Sequence, residues 1–314
     1  MTGKIKGTGS YKPVQVWNND KLSHMMDTSD EWIRGRTGIG QRHIASGEET
    51  VSYMAAKAGE AALADAKMKP EEIDLILVST MSAEIIMPCA ACEVQKLLGA
   101  VHATCFDLNG ACTGFLLALN TAQAYLGGRI YRTALVIGAE ALSHLTNWQD
   151  RSTCVLFGDG AGAAVFELTD TSVPFAITLG ARGDAAIHAG GPSRAGSAPI
   201  SMDGRAVFRF AVDALPKCLH TVLDETGLTL DGLDWVVCHQ ANSRIIDHCV
   251  KALHADGAKF YKNMDRHGNT SAASIPVALN ELAESGQLHP GQTLACIGFG
   301  GGLTWGGMIV EYKG

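Results

Sequence analysis

Asp107-Leu108-Asn109-Gly110-Ala111-Cys112-Thr113-Gly114 leads straight into Phe115-Leu116-Leu117-Ala118-Leu119. Small residues and glycines surround one cysteine, and an apolar run without proline follows at once. The pattern predicts a tight turn opening a buried helix, with Cys112 in or just before its first turn. The free N–H groups there and the positive end of the helix dipole favour an anion. A thiolate is an anion, so Cys112 is expected to titrate below the ordinary cysteine value of about 8.5 and to act as a nucleophile. The stretch alone also fits a small cysteine buried as core.

The flanking chain alternates strands and helices. Ile73–Thr80 and Thr133–Gly138 are short apolar runs that read as buried strands, and Cys105–Leu108 leads into the Cys112 turn. Thr50–Met68, Ala90–Gly99 and the run from Cys112 to Tyr125 have helical spacing. This alternation predicts an α/β fold. Asp27–Asp30 reads as a helix cap ahead of Trp32, Arg34 and Arg36, a flat aromatic face with cationic neighbours that suits a nucleotide and its phosphates. Cys89-Ala90-Ala91-Cys92 lies on a helical stretch with no second pair to complete a metal site, so packing is the simpler reading. Gly158-Asp159-Gly160-Ala161-Gly162-Ala163 has the letters of a dinucleotide fingerprint. It leads into the strand Ala164–Leu168, whereas a true fingerprint opens a helix, so it reads as a glycine-rich turn between strands. Residues 169–232 are more polar, with Gly190-Gly191-Pro192-Ser193 as a loop and Val207–Val222 as a helix that Pro216 should kink or break.

Bulk properties narrow the classes. The chain has 314 residues, 46% hydrophobic and 18% charged, with 36 glycines and a net charge of −7. That balance argues against nucleic acid as the main partner. Met1–Lys6 has no apolar core of a secretory signal, and no apolar run approaches a membrane span of about 20 residues. Nine scattered cysteines argue against a disulfide framework and for a reducing cytoplasm.

A shift of 160 residues aligns two halves without a gap. Asp74 falls on Asp234, Leu77 on Val237, Ile85-Ile86 on Ile245-Ile246, and Cys89 on Cys249. Asn109 falls on Asn269, Ala118-Leu119-Asn120 on Ala278-Leu279-Asn280, Thr133 on Thr293, and Ile137-Gly138 on Ile297-Gly298. The expectation is a duplicated α/β unit, residues 1–168 and 169–314, packed around a pseudo-twofold axis. Equivalent strand ends and helix starts then converge: Cys112, His239 after Trp235–Cys238, Asn269, and the loop Gly298-Phe299-Gly300-Gly301-Gly302.

The assembled motifs resemble the β-ketoacyl-[acyl-carrier-protein] synthase III family of thiolase-like condensing enzymes over nearly the whole chain. They are Gly7–Tyr11, Thr28–Ile33, Arg36–Ile39, Asn109–Phe115, Phe157–Ala163, His239–Asn242, Gly268–Pro276 and Gly298–Gly306. The resemblance implies a five-layered αβαβα fold of two duplicated halves and a cytoplasmic homodimer. It implies that Cys112 takes an acyl group from acyl-CoA. His239 and Asn269 then bind the thioester carbonyl of malonyl on acyl carrier protein, and loss of CO₂ leaves an enolate that attacks the acyl-Cys112. Two donors aimed at the enolate oxygen suit that chemistry, each worth about 3 kcal/mol in the transition state. By the same resemblance, the N–H groups of Cys112 and Gly301 form the oxyanion hole, and Trp32, Arg36, Arg151 and Asn242 hold CoA. Gln240, Ala241, Asn242, Ser243, Arg244 and Lys251 meet the acidic carrier protein, with Arg209 beside them. Met87, reaching into the partner's pocket, with Phe157 and Leu303, lines the acyl site. Neither a metal nor a cofactor beyond the substrates is implied.

Met87 and Leu303 stand where acetyl-preferring members have phenylalanine, which implies a pocket open to longer primers. Three competing readings remain at this stage. They are a condensing enzyme of specialised metabolism with a longer or branched primer, a catalytically silent acyl-binding subunit, and a nucleotide-dependent oxidoreductase built on Gly158–Ala163. The presence of Cys112, His239 and Asn269 together argues against the silent subunit.

Overall fold

A computed structural model describes residues 2–169, 174–190 and 198–314. Gly191, Pro192 and Ser193 of the expected loop lie outside the described residues, and Gly190 ends a short strand, Ile187–Gly190.

Ten strands make two five-stranded sheets. The first contains β1 (Thr2–Tyr11), β2 (Leu75–Ser79), β3 (Thr104–Leu108), β4 (Thr133–Glu140) and β5 (Gly160–Thr169), in the order β1-β5-β4-β2-β3. The second contains β6 (Ala176–Asp184), β7 (Trp235–Cys238), β8 (Phe260–Tyr261), β9 (Thr293–Gly300) and β10 (Gly302–Glu311), in the order β6-β10-β9-β7-β8. Adding five to each label converts one sheet into the other. In both, one edge is parallel and the other antiparallel.

Six helices complete five layers: α1 (Val51–Asp65), α2 (Ala90–Leu98), α3 (Gly114–Gly127), α4 (Gly204–Thr226), α5 (Ser243–Ala252) and α6 (Ser274–Glu284). Successive strand residues face opposite sides of a sheet. Leu75 and Leu77 of β2 therefore face the middle layer, with Phe115 and Leu119 of α3 and Ile275 and Leu279 of α6. Ile76 and Val78 face the outer layer of α1 and α2. In the second sheet, Val236 and Ile297 face out to α4 and α5, and Val237 and Cys296 face in. Helix α3 lies between two sheets and so needs no continuous polar stripe, which is why its sequence is apolar nearly all round.

The duplication is real, but its register is interrupted. Leu75 pairs with Ala134 and Trp235 with Leu294, so β2/β7 and β4/β9 keep the 160-residue spacing. Ile76 pairs with Cys105 while Val236 pairs with Phe260, so β3/β8 are 155 residues apart. A short helix, Met264–His267, restores the register before Asn269. The matches of Ile85-Ile86 with Ile245-Ile246 and of Cys89 with Cys249 are therefore coincidental. The first isoleucines are exposed ahead of α2 and Cys89 caps that helix, whereas the second set is buried inside α5.

One further expectation changes, and the expected cap within Asp27–Asp30 is found. Helix α4 runs unbroken through Pro216. Proline's φ is helical and only one backbone bond is forfeited, while Ala211, Leu215, Leu219 and Val222 anchor the helix on both sides. The cap of the Trp32 helix (Asp30–Thr37) is Ser29, whose hydroxyl accepts from Trp32 N–H at 3.1 Å. Gly158–Ala163 does open strand β5, and Asp159 is buried, accepting from Ala45 N–H and from the Ser143 N–H and hydroxyl. That use of the segment is structural.

Candidate active site

Cys112 sits in a single 3₁₀ turn, Ala111–Thr113, directly ahead of α3. Ala111 has φ +46°, a left-handed conformation that turns the chain sharply out of β3. Thr113 Oγ1 donates to Gly110 O at 2.8 Å and lies 2.8 Å from Thr304 Oγ1, which also reaches Gly301 O at 3.1 Å. The Cys112 turn of one half is thereby tied to the glycine loop of the other. A Cβ on Gly300 would stand 2.9 Å from Cys112 N and 3.1 Å from Thr113 N, so only glycine lets β9 end there. A Cβ on Gly301 would make ordinary contact at 3.7–3.8 Å. The steric demand for glycine thus falls on Gly300, one residue before the expected oxyanion-hole position.

The expected low thiol pKa is not present in this state. Burial pushes the Cys112 thiol up to about 12, with Glu140 adding to the rise and the Ser271 hydroxyl and the Cys112 N–H opposing it. The helix start is enclosed by both halves of the molecule, and loss of water is the largest cause of the rise.

His239 follows β7, is 2% exposed, and anchors its N–H on Ile297 O at 2.8 Å. Its Nδ1 is 2.7 Å from Ser274 Oγ at the start of α6, and its ring meets Phe299 edge-on at 5.4 Å. Burial lowers the imidazole to about pKa 3, so it is neutral at any working pH. Ser274 Oγ also accepts the Gln240 N–H at 3.4 Å. With the hydroxyl hydrogen turned to Nδ1, the ring proton sits on Nε2.

Asn269 is 7% exposed and is fixed to the Leu156–Gly158 segment at both backbone groups: its N–H donates to Leu156 O at 2.8 Å, and its carbonyl accepts from Gly158 N–H at 3.0 Å. Its Oδ1 accepts the Ser271 N–H at 2.9 Å, so the amide nitrogen is the free end. The run Asn269–Ser274 touches all three expected groups: it contains Asn269, brings the Ser271 hydroxyl to the Cys112 thiol, and brings the Ser274 hydroxyl to His239. Ser271 has φ +49° and is the 160-residue counterpart of Ala111, and Ala272 is the counterpart of Cys112. The duplicated turn therefore holds a cysteine in one copy only. Ser271, Ser274, Gly300 and Glu140 were without a role in the sequence reading. The first three lie inside the quoted motifs, but no spacing rule marks them.

At the surface, Arg151 stacks over Trp32 at 4.9 Å and Arg36 lies 5.9 Å from the same ring. A groove of about 560 Å³ is lined by Arg36, Arg205, Arg209 and Arg244, with Phe208 and Asn242. Asn242 caps α5 through Arg244 N–H at 2.9 Å and donates to Arg36 O at 3.1 Å, joining the two sets of cations. Arg244 and Lys251 are both exposed on α5, whose other face buries Ile245, Ile246 and Cys249. Ala241 and Ser243 are half-buried beside them. Gln240 does not belong to the surface set. It is 1% exposed, and its amide is used internally by Cys238 O, Tyr261 O and Asn263 N–H. A side chain sealed in this way cannot reach a carrier protein.

Phe157 packs with Leu142 and Ile200 beside Asn269, and Leu303 is 1% exposed. Met87 is not with them: within one chain it is 87% exposed. Cys89 and Cys92 stand 3.5 Å apart as free thiols, and no metal-binding cluster occurs among the described residues.

Sequence and structure comparisons agree with this fold. Residues 106–183 match the family model of 3-oxoacyl-[acyl-carrier-protein] synthase III, and residues 223–312 match its C-terminal model. A β-ketoacyl-[acyl-carrier-protein] synthase III of Clostridium acetobutylicum is 45% identical over 98% of both chains. The crystal structure of the 3-oxoacyl-[acyl-carrier-protein] synthase III of Aquifex aeolicus superposes with a TM-score of 0.93 at 41% identity, covering 99% of this chain and 100% of that one. A priming β-ketosynthase from the R1128 polyketide pathway superposes with a TM-score of 0.95 at 35% identity, covering 99% and 96%. With a half-buried cysteine, a neutral histidine and an oriented asparagine gathered between duplicated halves of this fold, the chain belongs to the β-ketoacyl-[acyl-carrier-protein] synthase III family.

Proposed function

We propose that this enzyme condenses a short acyl-CoA primer, acetyl-CoA by default, with malonyl-acyl carrier protein. The products are 3-oxoacyl carrier protein, CoA and CO₂, and the step initiates fatty-acid synthesis. The observation that carries the reading is the run Asn269–Ser274, which meets the nucleophile, the histidine and the asparagine at once. Cys112 becomes the thioester, its carbonyl oxygen facing the N–H groups of Cys112 and of Gly301. The neutral His239 presents Nε2–H and Asn269 presents its amide nitrogen, two donors for the enolate left by decarboxylation. Neither donor titrates near neutrality, so both remain in place throughout the reaction. The half 1–168 then supplies the nucleophile and the half 169–314 supplies the donors.

Trp32, Arg36 and Arg151 suit the adenine and phosphates of CoA. The arginine groove, with Arg244 and Lys251, suits the phosphate-bearing arm and acidic surface of the carrier protein despite the net charge of −7. The enzyme works as a cytoplasmic homodimer, with the exposed Ile85-Ile86-Met87 run at the contact between subunits. Incubation with acetyl-CoA and malonyl-acyl carrier protein is expected to release CO₂ and 3-oxoacyl carrier protein in equal amounts. Failure to form either product from any acyl-CoA contradicts the proposal.

Met87 and Leu303 favour a second reading, a primer longer than acetyl in a specialised pathway. Butyryl- or hexanoyl-CoA is then used at least as fast as acetyl-CoA. Strong preference for acetyl over both returns the enzyme to fatty-acid initiation with acetyl-CoA.

A further inference from the structure

Glu140 is the last residue of β4 and is fully buried. Its Oε2 accepts from Ser82 Oγ at 2.5 Å, Met81 N–H at 3.2 Å and Thr80 Oγ1 at 3.4 Å, while its Oε1 has no partner. Ser271 is also fully buried, and its Oγ has no fully formed hydrogen bond. The end of β4 and the Ser271 turn are in direct contact: a Cβ on Gly138 would lie 2.1 Å from Ala272 O. The Ser271 hydroxyl lies against both the Cys112 thiol and Glu140, and lowers both. Two unsatisfied buried oxygens beside a nucleophile require an account, because such groups ordinarily cost stability.

We propose that Glu140, acting through the Ser271 hydroxyl, takes up the proton of Cys112 as the acyl-enzyme forms. The inference rests on the reading of Cys112 as the acylated nucleophile. The thiol proton passes to Ser271 Oγ while the Ser271 hydroxyl hydrogen passes to Glu140 Oε1. The sulfur electron pair forms the bond to the acyl carbon, and the bond from that carbon to the sulfur of CoA breaks. CoA leaves as a thiolate and takes a proton from solvent. When the enolate later displaces Cys112, the proton on Glu140 returns along the same path to the freed thiolate.

The physical advantage lies in the charge. The pocket already holds one buried carboxylate, and the relay moves that negative charge to sulfur without adding a second. His239 is a poorer acceptor: at about pKa 3 it is a weaker base than Glu140, which burial raises to about 7 against its bonds to Ser82, Met81 and Thr80 and the lowering influence of the nearby Ser271 hydroxyl. Cys112 is the titratable group facing Glu140. Asp159, ahead of Gly160 in the paired strand, is occupied by Ala45 and Ser143, and no cation pairs with Glu140 among the described residues. Below neutrality Glu140 is protonated and cannot accept, so acylation slows as pH falls through about 7.

The test is single-turnover acylation across pH 5.5–9, followed by intact mass, for wild type, Ser271→Ala and Glu140→Gln. CO₂ release from malonyl-acyl carrier protein is measured in parallel. Alanine is compatible with the Ser271 conformation, since Ala111 holds it at φ +46°, and the backbone N–H that fixes Asn269 is kept. Both variants are expected to acylate at least tenfold more slowly at pH 8 and to lose the acid limb near pH 7, with CO₂ release changed less than about threefold. Should Glu140→Gln fail to fold, Ser271→Ala decides alone. Unchanged acylation with the limb intact overturns the relay, and so does an equal loss in both half-reactions, the mark of a merely structural role. Absence of any wild-type adduct strikes instead at Cys112 as the nucleophile.

Discussion

In the proposed reaction His239 and Asn269 divide the labour from Cys112, and single substitutions separate the two. His239→Ala and Asn269→Ala each remove one enolate donor. Each is expected to cut decarboxylation and condensation about 10²-fold, in line with roughly 3 kcal/mol per donor, while acylation of Cys112 persists. Rapid-quench assays of the two half-reactions check this. His239 also writes itself into stability. Its folded pKa of about 3 lies below the unfolded value, so the unfolded chain binds its proton first and stability falls as pH drops from about 6.5 towards 3. At pH 5 the loss is about 2 kcal/mol. Glu140 acts in the opposite sense: held at about 7 when folded, it binds a proton more readily than in the unfolded chain, and stability rises as pH falls from 7 to about 4.5. Urea denaturation of wild type against His239→Gln at pH 7 and pH 5 isolates the histidine, with the variant expected to lose less on acidification. Residue types at this site were legible in the sequence, because a cysteine turn, a strand-end histidine and an asparagine motif carry their chemistry in their letters. The neutral state of His239 followed from the donor role expected of it, but the charge state of Cys112 was not legible. The raised Cys112 thiol follows from enclosure by the second half, which no local pattern around residue 112 encodes.

Elements register the same division. Strands β2 and β4 and helices α1 and α3 are close to their apolar spacing in the sequence, because each buries a face or is buried outright. The unbroken α4 was not legible, since tertiary packing on both sides of Pro216 overrides a local breaker. The slip of five residues at β3 and β8 was hidden because an ungapped shift also matches chance isoleucines and cysteines. The glycine loop gives a sharp prediction. Gly300→Ala forces a methyl within 2.9 Å of the Cys112 backbone, and Gly301→Ala makes only ordinary contact. The first is expected to cost 1–3 kcal/mol or more in stability, on the order of other overpacked sites, and to reduce acylation at least tenfold. The second is expected to stay within about 0.5 kcal/mol of wild type. Thermal melts and acylation rates on both variants decide it, and equal effects would contradict the packing.

The whole molecule is a pair of equivalent sheets sandwiching α3 and α6, and the site exists because those two helices start at the same place. Ala272 at the counterpart of Cys112 and Ser271 at the counterpart of Ala111 show the two copies of the turn diverged, with the cysteine in one and a buried serine in the other. The Ile85-Ile86-Met87 run is exposed in the single chain, and the proposed dimer covers it. Ile86→Asp is therefore expected to shift the protein from dimer to monomer in sedimentation, whereas an unshifted dimer places the subunit contact elsewhere. The central claim, that Cys112 carries the acyl group, is tested most directly by intact-protein mass spectrometry after mixing wild type and Cys112→Ser with a panel of acyl-CoAs. The account predicts the mass of one acyl group on wild type and none on the variant. An adduct of equal extent on both proteins, or none on wild type with any acyl-CoA, would contradict it.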